Sequence, residues 1–328
     1  MSGLLLNLLG LAAGIGILIW SADVFVGGSV AFARRCGVSS LLIGMVVIGF
    51  GTSMPEMLVS VLAAAEGSPS IALGNAYGSN TANIGLILGL TAALASIAVA
   101  QSVVKRELPI LLGVTLLSYV LFFNGVITRV EAVILLGLFL AVIGFNVSHG
   151  RRQAEESAED DAAKPMTLGK SLFMILVGLA ALVGSSRLLV VCAIGIARLL
   201  GVPDLIIGLT IVAVGTSLPE LASSIAAIRK HEHDLVLGNI IGSNLFNTLA
   251  VVGLACVITP MTDGADKTAV HAIVVRDYPV VLGLTVLLLG FCIAWRRGRR
   301  SVINRWEGAV LLLAYLAYLG WLIRDALR

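Results

Sequence analysis

Two six-residue stretches, GTSMPE at 51–56 and GTSLPE at 215–220, place two hydroxyls, a proline and a carboxylate inside otherwise apolar runs. A proline in a helix removes one backbone hydrogen bond and presses its ring against the carbonyl four residues earlier. Pro55 is therefore expected to free the carbonyl of Gly51, and Pro219 that of Gly215. Gly49 and Gly51 loosen the first copy further. Backbone carbonyls, Thr and Ser hydroxyls and carboxylates are hard oxygen ligands suited to Na⁺ and Ca²⁺, and no Cys or His stands nearby to suggest zinc or copper. On insertion scales a charge at the centre of a bilayer costs about 2.5–3.5 kcal/mol. Glu56 and Glu220 sit at matching places, each beside a helix break, which reads as two carboxylates converging on one cation. Such a pair balances one Ca²⁺, or holds two to three Na⁺ with little residual charge.

A second polar block follows each of these, LGNAYGSNTAN at 73–83 and LGNIIGSNLFN at 237–247. Asn75, Ser79 and Asn83 recur every four residues, as do Asn239, Ser243 and Asn247, so each trio shares one helix face. Gly74, Gly78, Gly238 and Gly242 have the spacing that lets membrane helices approach closely. Packing glue and ion ligation both suit the Ser and Asn faces, and the neighbouring glutamates favour ligation.

These blocks need apolar helices to hold them. The 328 residues are 58% hydrophobic and 12% charged, with mean hydropathy +1.02, whereas soluble domains carry about 25% charged residues. A polytopic, all-α membrane protein is implied, and the net charge of +3 points to no nucleic-acid partner because the basic residues sit in short loops. Ten spans are expected, at 3–32, 38–66, 69–98, 108–124, 129–148, 169–197, 203–229, 234–259, 277–295 and 306–324, with the second and seventh broken at their prolines. The first lacks a basic leader and a cleavage site, so it reads as a retained span. An acidic linker occupies 149–168. Alternate loops hold fifteen and six Lys or Arg residues, which places the linker in the cytoplasm and both termini outside. Cys36, Cys192, Cys256 and Cys292 have no paired spacing and read as small packing residues.

Residues 41–90 align without a gap to 205–254 at a constant offset of 164, with 19 identities in 50 positions, concentrated in the two polar blocks. This is an internal duplication. The offset contains five spans, an odd number, so the copies run in opposite directions, as in secondary transporters whose sites lie at the repeat interface. The expected organisation is a first five-helix repeat over 1–148, the linker over 149–168 and a second, inverted repeat over 169–328. Extending the offset makes Asp23 and Arg187 symmetry mates of opposite charge, with a structural or gating role.

GTSMPE with GNAYGSNTAN, and GTSLPE with GNIIGSNLFN, resemble the two alpha-repeats of the sodium/calcium exchanger (cation/Ca²⁺ antiporter) superfamily, in its compact bacterial inner-membrane form. The resemblance covers all ten spans. It implies an antiporter exchanging Ca²⁺ for Na⁺ by alternating access, with no cofactor, acting as a monomer in the bilayer. It implies that Glu56 and Glu220 bind Ca²⁺ with the Thr52 and Thr216 carbonyls. Ser53, Ser217, Ser79, Ser243, Thr216 and the carbonyls of Gly49 and Ala213 would line the Na⁺ sites, and Asn83 and Asn247 the centre. Some relatives carry Asp at the position of Asn247, so this chain has one charge fewer there, which argues against K⁺ dependence. Spans one and six would slide against the other eight, and SADVFVGGS at 21–29 suits a helix that moves. Three Na⁺ on two glutamates would make transport electrogenic. The rival readings are a proton-coupled cation exchanger on the same scaffold and an ion channel. An intramembrane enzyme is disfavoured, since no nucleophile–His pair or aspartate dyad is visible.

Overall fold

The computed structural model describes residues 2–156, 166–201, 211, 213–293 and 301–326. Residues 157–165 of the acidic linker, the residues just before the second GTSxPE and the basic stretch 294–300 lie outside them. The chain is almost wholly helical. Its helices are α1 (Ser2–Cys36), α2 (Ser40–Thr52), α3 (Met54–Ala65), α4 (69–94), α5 (Leu108–Phe122), α6 (Arg129–Glu156), α7 (Leu168–Leu199), α8 (Ala213–Thr216), α9 (Leu218–Arg229), α10 (His233–Ile258), α11 (Gly264–Ile293) and α12 (Arg305–Ala326). Among the described residues, α1, α6, α7, α10, α11 and α12 are long and apolar enough to cross a membrane, and the bent pair α2–α3 makes a seventh. The expected spans at 69–98 and 108–124 do not meet that standard there, and the expected span at 203–229 lies partly outside the described residues. At about 1.5 Å per residue α1 is longer than the roughly 30 Å hydrocarbon core, long enough to cross it with some tilt or to extend beyond it.

Several expected boundaries are corrected. Helix α4 ends at Leu94, because Ala95 turns extended (φ −148°, ψ 129°) and Ile97–Val99 forms strand β1. That strand pairs antiparallel with β2 (Ser301–Ile303), Ile97 opposite Ile303. Helix α11, which corresponds to the ninth expected span, starts at Gly264, well before the expected 277, and carries Pro279 within it.

Among the described residues, π-turns occur at Gly44–Gly49, Asn83–Leu88 and Phe246–Val251, and a fourth at Val103–Glu107 leads into α5. The first three lie in or beside a polar block, and such wide turns shift the register of the side chains that follow, often at functional sites.

Helix α10 is the centre of the molecule. Of its most apolar window 89% is buried, against 6% for α1. It crosses α2 at backbone contact: a Cβ on Gly238 would lie 2.5 Å from the Leu41 carbonyl oxygen, and one on Gly242 2.5 Å from that of Met45. Only glycine permits this approach. The same packing was expected of Gly74 and Gly78. Both line a cavity with Ala269, Tyr315 and Tyr318, and the stretch 205–209 that would meet them by the repeat lies outside the described residues.

Helices α1 and α7 pair with each other along their length, and their contacts repeat the offset of 164. Gly14 meets Leu189 as Gly178 meets Phe25, and Gly10 meets Cys192 as Gly28 meets Met174. No disulfide joins the four cysteines.

Candidate cation site

Helix α2 stops at Thr52, and Pro55 lies in the first turn of α3, where a missing N–H leaves no bond unmade. Ser53 between them has φ −84° and ψ 2°, outside the helical well, and the two helix axes meet at 46°. Ser217 has nearly the same backbone (φ −91°, ψ 8°), followed by Pro219 in the first turn of α9. Both prolines therefore open a second helix instead of kinking a continuous one. The expected free carbonyl of Gly215 is not free: Ser186 Oγ of α7 donates to it at 2.9 Å.

The two breaks bring both glutamates inside. Glu56 and Glu220 are each 1% exposed. Ser53 Oγ donates to Glu220 Oε1 at 3.2 Å, linking the halves. The other oxygen of Glu220 and both oxygens of Glu56 are buried without a hydrogen-bond partner. Among the described residues no group of three or more His, Cys, Asp or Glu side chains gathers here or elsewhere. The formal charge of the site thus comes from this pair alone.

Asparagines brace the breaks. Asn75 Nδ2 donates to the Glu56 carbonyl (3.1 Å) and to Ser60 Oγ (3.0 Å), and Asn239 Nδ2 to the Glu220 carbonyl (3.2 Å) and to Ser224 Oγ (3.0 Å). These four bonds are related by the repeat offset. They hold the peptide of each glutamate and leave its carboxylate uncommitted. Thr52 Oγ1 bonds the Ile48 carbonyl (2.9 Å) and Asn239 Oδ1 (3.2 Å), and Ser243 Oγ donates to the Gly49 carbonyl at 3.3 Å.

The remaining expected residues fall around the same centre. Ser79, Ser217, Asn83 and Asn247 are buried, Thr216 is half-buried, and Ala213 opens α8. Ser217 Oγ, Asn83 Oδ1 and both polar atoms of Asn247 lack partners. Two residues that the sequence reading passed over join them. Asn83 Nδ2 donates to Asn244 Oδ1 at 3.0 Å, and Asn80 Nδ2 to Thr248 Oγ1 at 2.8 Å, leaving Asn80 Oδ1 unpartnered. Asn80 and Asn244 stand in the duplicated LGNxxGSNxxN block, so their signal was present but fell off the four-residue face.

Buried polar atoms are nearly always paired. A cluster of orphaned oxygens with two carboxylates at its centre has the chemistry of a desolvated site for a hard cation.

The sequence profile of the sodium/calcium exchanger protein family matches residues 6–148 and 170–324. The chain belongs to that family. Relatives span its length: CaxA of Alkalimonas amylolytica is 42% identical over 310 residues, covering 93% of this chain and 95% of that protein. The inner membrane protein YrbG of Escherichia coli K12 is 35% identical over 323 residues, covering 95% and 96%. Among solved structures, the sodium-calcium exchanger NCX_Mj soaked with 2.5 mM Na⁺ and 10 mM Sr²⁺ superposes with a TM-score of 0.82 at 31% identity, over 97% of this exchanger and 99% of that chain. Members of that family are transporters, not enzymes.

Asp23 lies 3.9 Å from Arg229 and 3.8 Å from Lys230, whereas its mate Arg187 is exposed.

Proposed function

We propose that the protein is a secondary active antiporter that exchanges Ca²⁺ for Na⁺ by alternating access, electrogenic and independent of K⁺. The observation that carries this reading is the set of buried, unpartnered oxygens on Glu56 and Glu220. A carboxylate held out of water without a hydrogen bond or counter-charge is strongly unfavourable, and a bound cation removes the penalty.

Glu56 and Glu220 would take Ca²⁺ with the carbonyls of Thr52 and Thr216. Ser53, Ser217, Ser79, Ser243 and the carbonyls of Gly49 and Ala213 would serve Na⁺, and Asn83 and Asn247 would complete the centre. One pair of carboxylates cannot serve Ca²⁺ and three Na⁺ together, so the two loads alternate. With three Na⁺ the site carries one net positive charge, which couples transport to voltage at about 2.3 kcal/mol per 100 mV.

Two inverted five-helix repeats, 1–148 and 169–328, would make ten spans around this centre, with the linker 149–168 in the cytoplasm of a bacterial inner membrane and both termini outside. Loop contacts among the described residues support that arrangement, because the following ones join loops assigned to one side. Strand β1 pairs with β2, and Arg34 lies 3.8 Å from Glu232, all on the side read as cytoplasmic. Ile127 bridges Met261, and Thr259 Oγ1 donates to the Ala64 carbonyl at 2.7 Å, on the other side.

The test is ⁴⁵Ca²⁺ uptake into sealed vesicles driven by a Na⁺ gradient, compared with a pH gradient. Flux driven by Na⁺, steepened by membrane voltage and lost in Glu56→Gln and Glu220→Gln, is expected. Flux driven by pH alone would establish the proton-coupled reading, and normal flux in both variants would refute the site.

A further inference from the structure

Asp23 of α1 faces the end of α9, with Oδ2 3.9 Å from Arg229 Nη1 and Oδ1 3.8 Å from Lys230 Nζ. The repeat offset of 164 carries Asp23 onto Arg187 of α7 and Lys230 onto Glu66, the residue that ends α3. Both members change sign together, so the attraction survives the duplication with its charges exchanged. The α1–α7 contacts follow the same offset, so the repeat makes Glu66 the residue that Arg187 would meet where Asp23 meets Lys230.

Only one of the two pairs is made. Arg187 and Glu66 are both exposed, and neither has an ion-pair partner among the described residues. The centre of the molecule is asymmetric in the same way. Ser53 bonds Glu220 and Asn83 bonds Asn244. The mates of these bonds, Ser217 to Glu56 and Asn247 to Asn80, are absent, and the atoms that would make them are unpartnered.

We propose that Asp23–Arg229/Lys230 and Arg187–Glu66 are alternating electrostatic latches between the α1–α7 pair and the rest of the protein, one closed in each access state. The inference rests on the alternating-access reading. The latches lie at opposite ends of a tightly paired unit, so the shift of α1–α7 that parts one closes the other. Exposed ion pairs shift an equilibrium by no more than about five-fold, which suits a latch that must open in every cycle.

The test uses the full-length protein in liposomes, with Cys36→Ser removing the exposed thiol. The double variant Glu66→Cys/Arg187→Cys is treated with a short bifunctional thiol reagent, with Asp23 intact, with Asp23→Asn and with the conservative Asp23→Glu. Cross-linking is expected to form, to rise about two- to five-fold with Asp23→Asn, and to stay near the starting level with Asp23→Glu. Cross-linked protein should stop transporting and recover on reduction where a cleavable reagent is used. No cross-link in any background, or a yield indifferent to Asp23→Asn, would overturn the latch. Cross-link yield is read without any ion flux, so failure of Na⁺-driven Ca²⁺ uptake would count against the exchange reading separately.

Discussion

Ser53 Oγ donates a 3.2 Å hydrogen bond to Glu220 Oε1, while the hydroxyl of its repeat mate Ser217 has no partner and Glu56 accepts nothing through its carboxylate. Identical hexapeptide chemistry therefore sits in two different electrostatic situations. Ser53→Ala removes a hydrogen bond to a charged group, worth about 1.5–3 kcal/mol, and should lower the melting temperature of the cation-free protein. Ser217→Ala should leave that temperature nearly unchanged and weaken cation binding instead. Thermal unfolding with and without Na⁺ or Ca²⁺ separates the two, and equal behaviour of the variants would contradict the asymmetry.

Glu56 carries two orphaned oxygens, so a cation should bind the native fold far better than the unfolded chain. At about a hundred times the dissociation constant, Ca²⁺ should add ~2.7 kcal/mol of stability. Glu56→Gln should fold and lose this increment. Calorimetric titration and melting curves would check both points, and a full Ca²⁺ response in the variant would remove Glu56 from the site.

Gly242 lets α10 touch the backbone of α2. A methyl there would meet the Met45 carbonyl oxygen at 2.5 Å, and overpacking of this kind costs about 1–3 kcal/mol. Gly242→Ala should destabilise the protein and displace Ser243 from the Gly49 carbonyl, lowering Na⁺ affinity. Gly16→Ala on the exposed face of α1, where nothing lies within 4 Å, should be neutral. Melting temperatures and Na⁺ titrations of the pair make the comparison.

Pro55 sets the 46° bend between α2 and α3. Pro55→Ala restores an N–H and removes the ring, so the two helices should straighten toward a continuous span. The carboxylate of Glu56 would then rotate away from Glu220, and Ca²⁺ affinity should fall by about ten-fold or more, the equivalent of ~1.4 kcal/mol. Unchanged affinity with a straightened helix would show that the break does not position the carboxylate.

The sequence by itself determined the membrane class, the duplication and the polar residues of the centre. Each of these is written in composition, in a constant offset or in the rarity of carboxylates within apolar runs, and each requires only local information. The prolines were also legible as breaks, although not as first-turn residues, because whether a helix kinks or restarts depends on the backbone of Ser53 and Ser217. The end of α4 at Leu94 was hidden, since β1 exists only through its pairing with β2 some two hundred residues later. Only the tertiary structure decided which duplicated groups are satisfied. Ser186 captures the Gly215 carbonyl because α7 crosses it, an interaction that Ala22, its mate in α1, has no hydroxyl to make. Two copies of one motif start with the same bonding capacity. The single arrangement of helices around them satisfies some groups of each copy and leaves their mates open, and no periodicity in the chain encodes which.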